Sequence, residues 1–331
     1  MNRILSGMRP TGPLHLGHLL GALENWRKLQ AGHECFFMVA DLHALMGEYE
    51  NPAHIRAYSI QMVKDWLACG VDPKQSTIFI QSEIPEHSAL ALILGMLTPL
   101  GWLERNPTYK EQLREIQGRD LTTYGFLGYP VLQAADILLY KANRVPVGED
   151  QLAHLELTRE IARRFNHFYK KDIFPEPEAL LSKGARLLGT DRRKMSKSYD
   201  NAINLSDPPD TVHKKVLSMI TDPQRIKTQD PGHPEVCNVY SYYNIFCDRS
   251  RYPDADGGKV SAVYQWCTGA KKGCVDCKKE LAKILIDQLK SLKRESPKSD
   301  SEVGKVLAMG RARAGKVAKE TLAEVKALLG L

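Results

Sequence analysis

The chain has 331 residues, 43% hydrophobic and 26% charged, enough to bury a large core and by length about two domains. Its net charge of +7 is uneven: residues 271–331 hold 15 Lys and Arg against 8 Asp and Glu, which suits a polyanionic partner such as nucleic acid or a solvated helical face. The opening MNRILSGMRPTG lacks the apolar core of a secretory leader, and the longest apolar stretch, 89–103, is too short for a bilayer and contains Pro99. A cytoplasmic protein with no membrane partner is expected.

Along the first 150 residues, short β-branched or aromatic runs alternate with helical stretches. Ile4–Ser6, Cys35–Val39, Thr77–Ile80 and Val145–Val147 read as buried strands, and His18–Leu29 and Pro52–Cys69 as helices, the second closed by Gly70. This alternation predicts an α/β fold, a Rossmann-type doubly wound parallel sheet whose ligands bind beyond the carboxyl ends of the strands. After residue 200 the strand signals fade, with breaks at Asp207-Pro208-Pro209 and Ser296-Pro297, so a C-terminal helical domain is expected over 201–331 behind a catalytic domain over 1–200.

The loop 7–17 follows the first strand and opens a helix, where free backbone amides and the helix dipole favour an anion. Gly12-x4-Gly17 has P-loop spacing, but His18-Leu19 stands where Lys-Ser/Thr would grip phosphate and magnesium, and no Gly-x-Gly-x-x-Gly is present. Instead His15 and His18, three apart on one face, can both donate to one anionic group that gains charge in a transition state. No Cys, Asp or Glu lies nearby in sequence to complete a metal site with them. A second anion signal lies at GTDRRKMSKSYDN, 189–201, where Lys194 and Lys197 flank Met195-Ser196 in a segment suited to closing on a triphosphate.

Together, His15-Leu-Gly-His18 and Lys194-Met-Ser-Lys-Ser198 resemble the paired signature of class I aminoacyl-tRNA synthetases. ILSGMRPTGPLHLGHLLGAL, ECFFMVADLHAL, GYPVLQAADILLY, VPVGEDQ and ELTREIARRFN extend the resemblance, in order and spacing, to the bacterial tryptophanyl-tRNA synthetases. The resemblance implies a homodimer that activates tryptophan with ATP and Mg2+ and transfers it to tRNA(Trp). It also implies catalytic roles for His15, His18, Lys194 and Lys197. Arg9, Pro10, Thr11, Gly17 and His18 would line the ATP site, with Gly148, Glu149 and Asp150 on the ribose, Leu187 beside adenine, and Lys194, Met195, Ser196, Lys197 and Ser198 as the mobile loop. Leu5, His43, Tyr129, Gln133 and Asp136 would bind the amino acid, with Asp136 accepting from the indole N–H and His43 stacking beside the ring. Gly17 is read as glycine so that adenine can pack on the backbone.

The family often has Asn where this chain has His18. Tyr129-x3-Gln133-x2-Asp136 also suits the tyrosyl enzymes, but these tend to carry Tyr two residues before the first glycine, where Leu5 makes room for a larger apolar ring. A tyrosyl enzyme is the alternative reading. A nucleotidylyltransferase sharing the histidine motif and a non-catalytic RNA-binding descendant are weaker ones, set against the lysine loop, the basic tail and intact motifs.

Of seven cysteines, Cys35 and Cys69 adjoin apolar runs as core thiols, whereas Cys237 and Cys267-x6-Cys274-x2-Cys277 have the look of a metal site. Their surroundings resemble a subgroup of tryptophanyl enzymes bearing a four-iron, four-sulfur (4Fe–4S) cluster, with Zn2+ as runner-up. The gap after Cys237 is longer than in that subgroup and contains DRSRYPDADGG, which makes Cys247 a rival first ligand.

Overall fold

A computed structural model describes residues 2–107, 109–110, 122–181, 187–196, 199–252, 255–294, 297 and 299–331. Its strands are β1 (Arg3–Met8), β2 (Glu34–Val39), β3 (Ser76–Ile80), β4 (Arg144–Val147) and β5 (Glu178–Leu181). They form one sheet in the order β3-β2-β1-β4-β5, and every pairing is parallel. β2 and β3 are apolar almost throughout and buried, as strands covered on both faces must be. The four expected strands are all present. β5 went unread because EALL is a short, partly exposed edge with little alternation.

The helices are α1 (Leu16–His18), α2 (Glu24–Leu29), α3 (Asp41–Glu48), α4 (Ile55–Ala68), α5 (Glu86–Leu97), α6 (Leu100–Glu104), α7 (Tyr124–Leu139), α8 (Leu152–Tyr169), α9 (Pro209–Ser218), α10 (Asn238–Phe246), α11 (Gly258–Thr268), α12 (Cys274–Arg294) and α13 (Asp300–Leu329). The helix expected over His18–Leu29 is broken by a π-helical turn, Leu19–Leu23, a feature that concentrates at functional sites. Pro208 and Pro209 do not separate domains. They are the N-cap and first residue of α9, where the missing proline N–H costs nothing.

Contacts divide the chain into two interleaved compact units rather than at one cut near residue 200. The first comprises Met1–Gly12, Asn25–Ser182 and Pro297–Leu331; the second comprises Pro13–Glu24 and Lys183–Ser296. In the first, Trp26 stacks on Phe37 at 4.3 Å and meets Trp66 edge-on at 5.0 Å beneath the sheet. The C-terminal helix, read from sequence with the helical domain, belongs here. Ser299 caps α13 by accepting from the Glu302 amide at 3.3 Å, and its buried face runs through Val303, Leu307, Gly310, Ala314 and Ala318 against β3. In the second unit, α9 and α10 pack on α12.

Small residues let α13 approach the sheet backbone. A Cβ on Gly310 would fall 1.7 Å from the Ile78 carbonyl oxygen, whereas one on Gly304 of the same helix meets nothing within 4 Å. Gly310→Ala is therefore expected to lose stability by about 1–3 kcal/mol through overpacking, while Gly304→Ala gains up to about 1 kcal/mol of helix propensity. Denaturant midpoints of the two variants check this, and equal midpoints would contradict the close approach.

Candidate active site

β1 and β4 are neighbours whose chain continues to opposite sides of the sheet, which opens a crevice at their carboxyl ends. A cavity of about 350 Å³ lies there in the first unit. Leu5, His43, Tyr129, Gln133 and Asp136, the five residues assigned to the amino acid, all line it, as do Arg9 and Gly148. Glu149 and Asp150 follow on an exposed 3-10 turn, and Gln151, which the sequence reading passed over, lines the cavity.

Asp136 on α7 is only 2% exposed. Its Oδ1 accepts from Gln81 at 2.8 Å and His87 at 2.6 Å, and its Oδ2 from Gln81 at 2.9 Å and His43 at 2.7 Å. Burial opposes the charge, but the hydrogen bonds from His43 and His87 prevail and hold the carboxyl below its ordinary range. A carboxylate has about four acceptor sites, and these contacts fill them. Of the three donors only His43 lines the cavity, so a ligand N–H reaching Asp136 takes the place of His43. His43 bonds to the carboxylate and stands edge-on to Tyr129, with ring centres 6.4 Å apart. Behind them, the other His87 nitrogen meets the Tyr140 hydroxyl at 2.8 Å.

Tyr129 is held in the same manner. Its hydroxyl lies 2.6 Å from His154 Nε2, and Asn106 Nδ2 donates to His154 Nδ1 at 3.0 Å. With Nδ1 as acceptor, Nε2 carries the proton and donates to Tyr129, whose own hydroxyl hydrogen is left for the cavity. Burial pushes the imidazole down to about 4 and the Tyr129 phenol up to about 12, so both are neutral near pH 7.

The two signature motifs meet within the second unit. Leu16 N–H donates to the Ile203 carbonyl at 3.0 Å and Leu205 N–H to the Leu14 carbonyl at 2.8 Å, so the histidine segment pairs with the stretch just after the lysine loop. The His15 and His18 rings lie 3.8 Å apart, as their spacing predicts. The His15 amide donates to His18 Nδ1 at 3.1 Å, which places the His18 proton on Nε2. Gly17 has a nearer reason to be glycine than adenine packing: a Cβ there would come within 2.9 Å of the His15 ring.

The lysine loop is a hairpin. Leu188 bridges Lys194, the Gly189 amide donates to the Arg193 carbonyl at 2.8 Å, and Arg192 takes a left-handed conformation at φ 69°. Buried Asn201 ties it together, accepting from the Ser196 amide at 2.8 Å and donating to Asp191 at 2.7 Å. Leu187 and Met195 are buried and Lys194 exposed; Lys197 and Ser198 lie outside the described residues.

The chain matches the family described as tRNA synthetases class I (W and Y) over residues 1–325. It is 50% identical to a tryptophan–tRNA ligase of Thermotoga maritima, with 99% of each chain covered, and 42% identical to that of Aquifex aeolicus over 99% of this chain and all of the other. The structure of a tryptophanyl-tRNA synthetase from Campylobacter jejuni, complexed with ADP and tryptophan, superposes with a TM-score of 0.89 at 30% identity over 99% of this chain and 100% of that one. The chain belongs to the class I tRNA synthetases.

In this class I synthetase Cys237, Cys267, Cys274 and Cys277 line one small pocket of the second unit with Arg225, Trp266 and Lys272. Cys247 is buried elsewhere, facing Asp256 and Lys259. Among the described residues no three His, Cys, Asp or Glu side chains already stand at metal-binding positions. Burial first, then the neighbouring sulfurs, push the Cys277 thiol up to about 12.

Gln81, His87, Asn106, His154, Gln151 and Asn201 escaped sequence reading because they are single polar residues scattered over several elements. Asn201 and Gln151 alone had a signal, their places at the ends of the lysine segment and of VPVGEDQ. His154 has a measurable signature. Its folded pKa of about 4 lies below the ordinary 6.5, so between those values the unfolded chain takes up a proton that the folded chain refuses. Its contribution is complete above pH 6.5 and falls by about 3 kcal/mol as pH drops toward 4. His154→Gln is expected to remove this part of the stability slope, and urea titrations of both proteins between pH 7 and 4.5 check it.

Proposed function

We propose that the chain is a tryptophan–tRNA ligase. The observation that carries the reading is the cavity at the sheet's switch point, aliphatic at Leu5 and floored by a buried, ionised Asp136. An indole offers one N–H on a large apolar ring; Asp136 supplies the acceptor and Leu5 the room, while Tyr129 and Gln133 remain for the polar end of the amino acid. The named relatives and the Campylobacter structure support the same substrate.

In the reaction a tryptophan carboxylate oxygen bonds to the α-phosphorus of ATP, the bond from that phosphorus to the bridging oxygen breaks, and pyrophosphate leaves with the electron pair. A terminal ribose hydroxyl of tRNA(Trp) then attacks the adenylate carbonyl and AMP departs. The chain's task is positioning and charge stabilisation. Arg9, Pro10, Thr11 and Gly17 take the nucleotide, Gly148, Glu149 and Asp150 its ribose, and Leu187 its base. His15, His18, Lys194 and Lys197 meet the phosphates, and Met195, Ser196 and Ser198 complete the loop. Magnesium enters with ATP as its counter-charge.

Cys237, Cys267, Cys274 and Cys277 would hold a 4Fe–4S cluster, with zinc as runner-up. Four sulfurs lining one pocket fit either group, and the apartness of Cys247 supports Cys237 as first ligand. A bound cluster supplies a folding nucleus and carries no step of the reaction. The basic C-terminal segment suits tRNA. Homodimerisation is supported by an apolar hollow of about 630 Å³ in the first unit, where Leu92, Leu100 and Tyr124 are exposed. No helix among the described residues is long and apolar enough to cross a membrane, in keeping with a cytoplasmic place.

Amino-acid-dependent ATP–pyrophosphate exchange with all twenty amino acids tests the reading: tryptophan should lead, and a faster rate with tyrosine would overturn it. Asp136→Asn should lower the preference for tryptophan by roughly ten- to a hundredfold, about 1–3 kcal/mol. His15→Ala or His18→Ala should slow single-turnover adenylate formation by a similar factor and leave tryptophan affinity unchanged, because those donors meet charge that grows only in the transition state. Iron and sulfide near four each per anaerobically purified chain support the cluster; stoichiometric zinc without sulfide supports the runner-up.

A further inference from the structure

One helix of the second unit touches both the thiol pocket and the lysine loop. α10 starts directly after Cys237, and its Val239 and Tyr240 amides lean on the Cys237 sulfur. Tyr243, fully buried, donates to the Cys277 carbonyl at 2.7 Å. Two other side chains of α10 reach the loop hairpin. Asn238, 2% exposed, donates from Nδ2 to the Gly189 carbonyl at 2.8 Å, and Tyr242, fully buried, donates to the Leu188 carbonyl at 2.5 Å.

Those two carbonyls sit on the strand of the hairpin that bridges Lys194. The hairpin is too short to fix its own position: it has few apolar side chains, and Lys194 is exposed. Its hydrogen bonds to Asn201 close it internally, and it is tied to the helical body by the Ile220 amide, which donates to the Thr190 carbonyl at 2.9 Å, and by the side chains of Asn238 and Tyr242. The Gly189 carbonyl also accepts from the Arg192 amide within the hairpin at 3.1 Å, so the Asn238 bond serves to tie the hairpin to the helix rather than to be that carbonyl's only partner.

We propose that α10 is a strut between the thiol pocket and the lysine loop, with Asn238 and Tyr242 as positioning residues that set where Lys194, Met195 and Ser196 stand. The order of the thiol pocket then bears on ATP handling as well as on tRNA binding. The inference rests on reading this loop as the one that closes on ATP.

Asn238→Asp keeps the shape but replaces a donor with an acceptor; Tyr242→Phe removes the other donor and serves if the first variant does not fold. In the full chain as isolated, either should speed amide hydrogen exchange in peptides covering 187–196 at least tenfold. The KM for ATP in pyrophosphate exchange should rise about tenfold, with the KM for tryptophan and the iron or zinc content within twofold. Cys274→Ser, on α12 and two helices away in sequence, should reproduce the faster loop exchange. Loop exchange and ATP KM within twofold of the unsubstituted chain overturn the strut, and Cys274→Ser with an unchanged loop overturns its link to the thiols. Absence of tryptophan-dependent exchange in the unsubstituted chain would defeat the proposed function instead, and the hydrogen-exchange arm would still decide the strut.

Discussion

The cavity at the carboxyl end of the sheet depends on a single buried charge. Asp136 sits on the apolar helix α7, where an unpaired carboxylate would cost several kcal/mol. It is stabilised by donors from three other places in the chain: Gln81 just after β3, His87 on α5 and His43 on α3. Their convergence fixes how these segments stand around the carboxyl end of the sheet. The charge proposed for recognition is therefore also a constraint on the walls of its own pocket.

Tyr129 repeats the device with neutral groups. A carboxylate takes every donor offered to it, whereas a neutral imidazole has one donor and one acceptor, so the Asn106 contact on one side of His154 decides what Tyr129 receives on the other. Polarity at the cavity wall is thus set by a residue that does not line it. With His43 as the donor at Asp136 that faces the cavity, the indole N–H of the proposed substrate would exchange for one already there, and an apolar side chain of similar size would offer nothing in return.

The sequence carried the parallel sheet, four of its five strands and the pairing of the histidine and lysine motifs, because each rests on local signals: apolar runs, glycine loops, charge spacing. It did not carry β5, whose edge position removes the need for an apolar face, nor the return of α13 to the sheet unit, which depends on Gly310 meeting a backbone 232 residues earlier. The buried donors at the cavity were illegible for a related reason. Gln81, His87 and His154 acquire meaning only from partners 25 to 55 residues away, and each alone reads as an ordinary polar residue on a helix or loop.

The interleaving of the chain has a chemical logic. Residues 13–24 leave the sheet unit directly after β1 and pair with 203–205, so the imidazoles of one motif are built into the same compact unit as the lysines of the other. The residues assigned to the amino acid stay with the sheet, where burial keeps Asp136 and Tyr129 rigid. Groups that must meet a large, highly charged and departing ligand are better placed on short segments held by a few directed hydrogen bonds, because such contacts can be remade as charge moves. Under the proposed function the buried half would discriminate and the hydrogen-bonded half would handle phosphate, which accords with one being made of core helices and strands and the other of a capped helix start and a tethered hairpin.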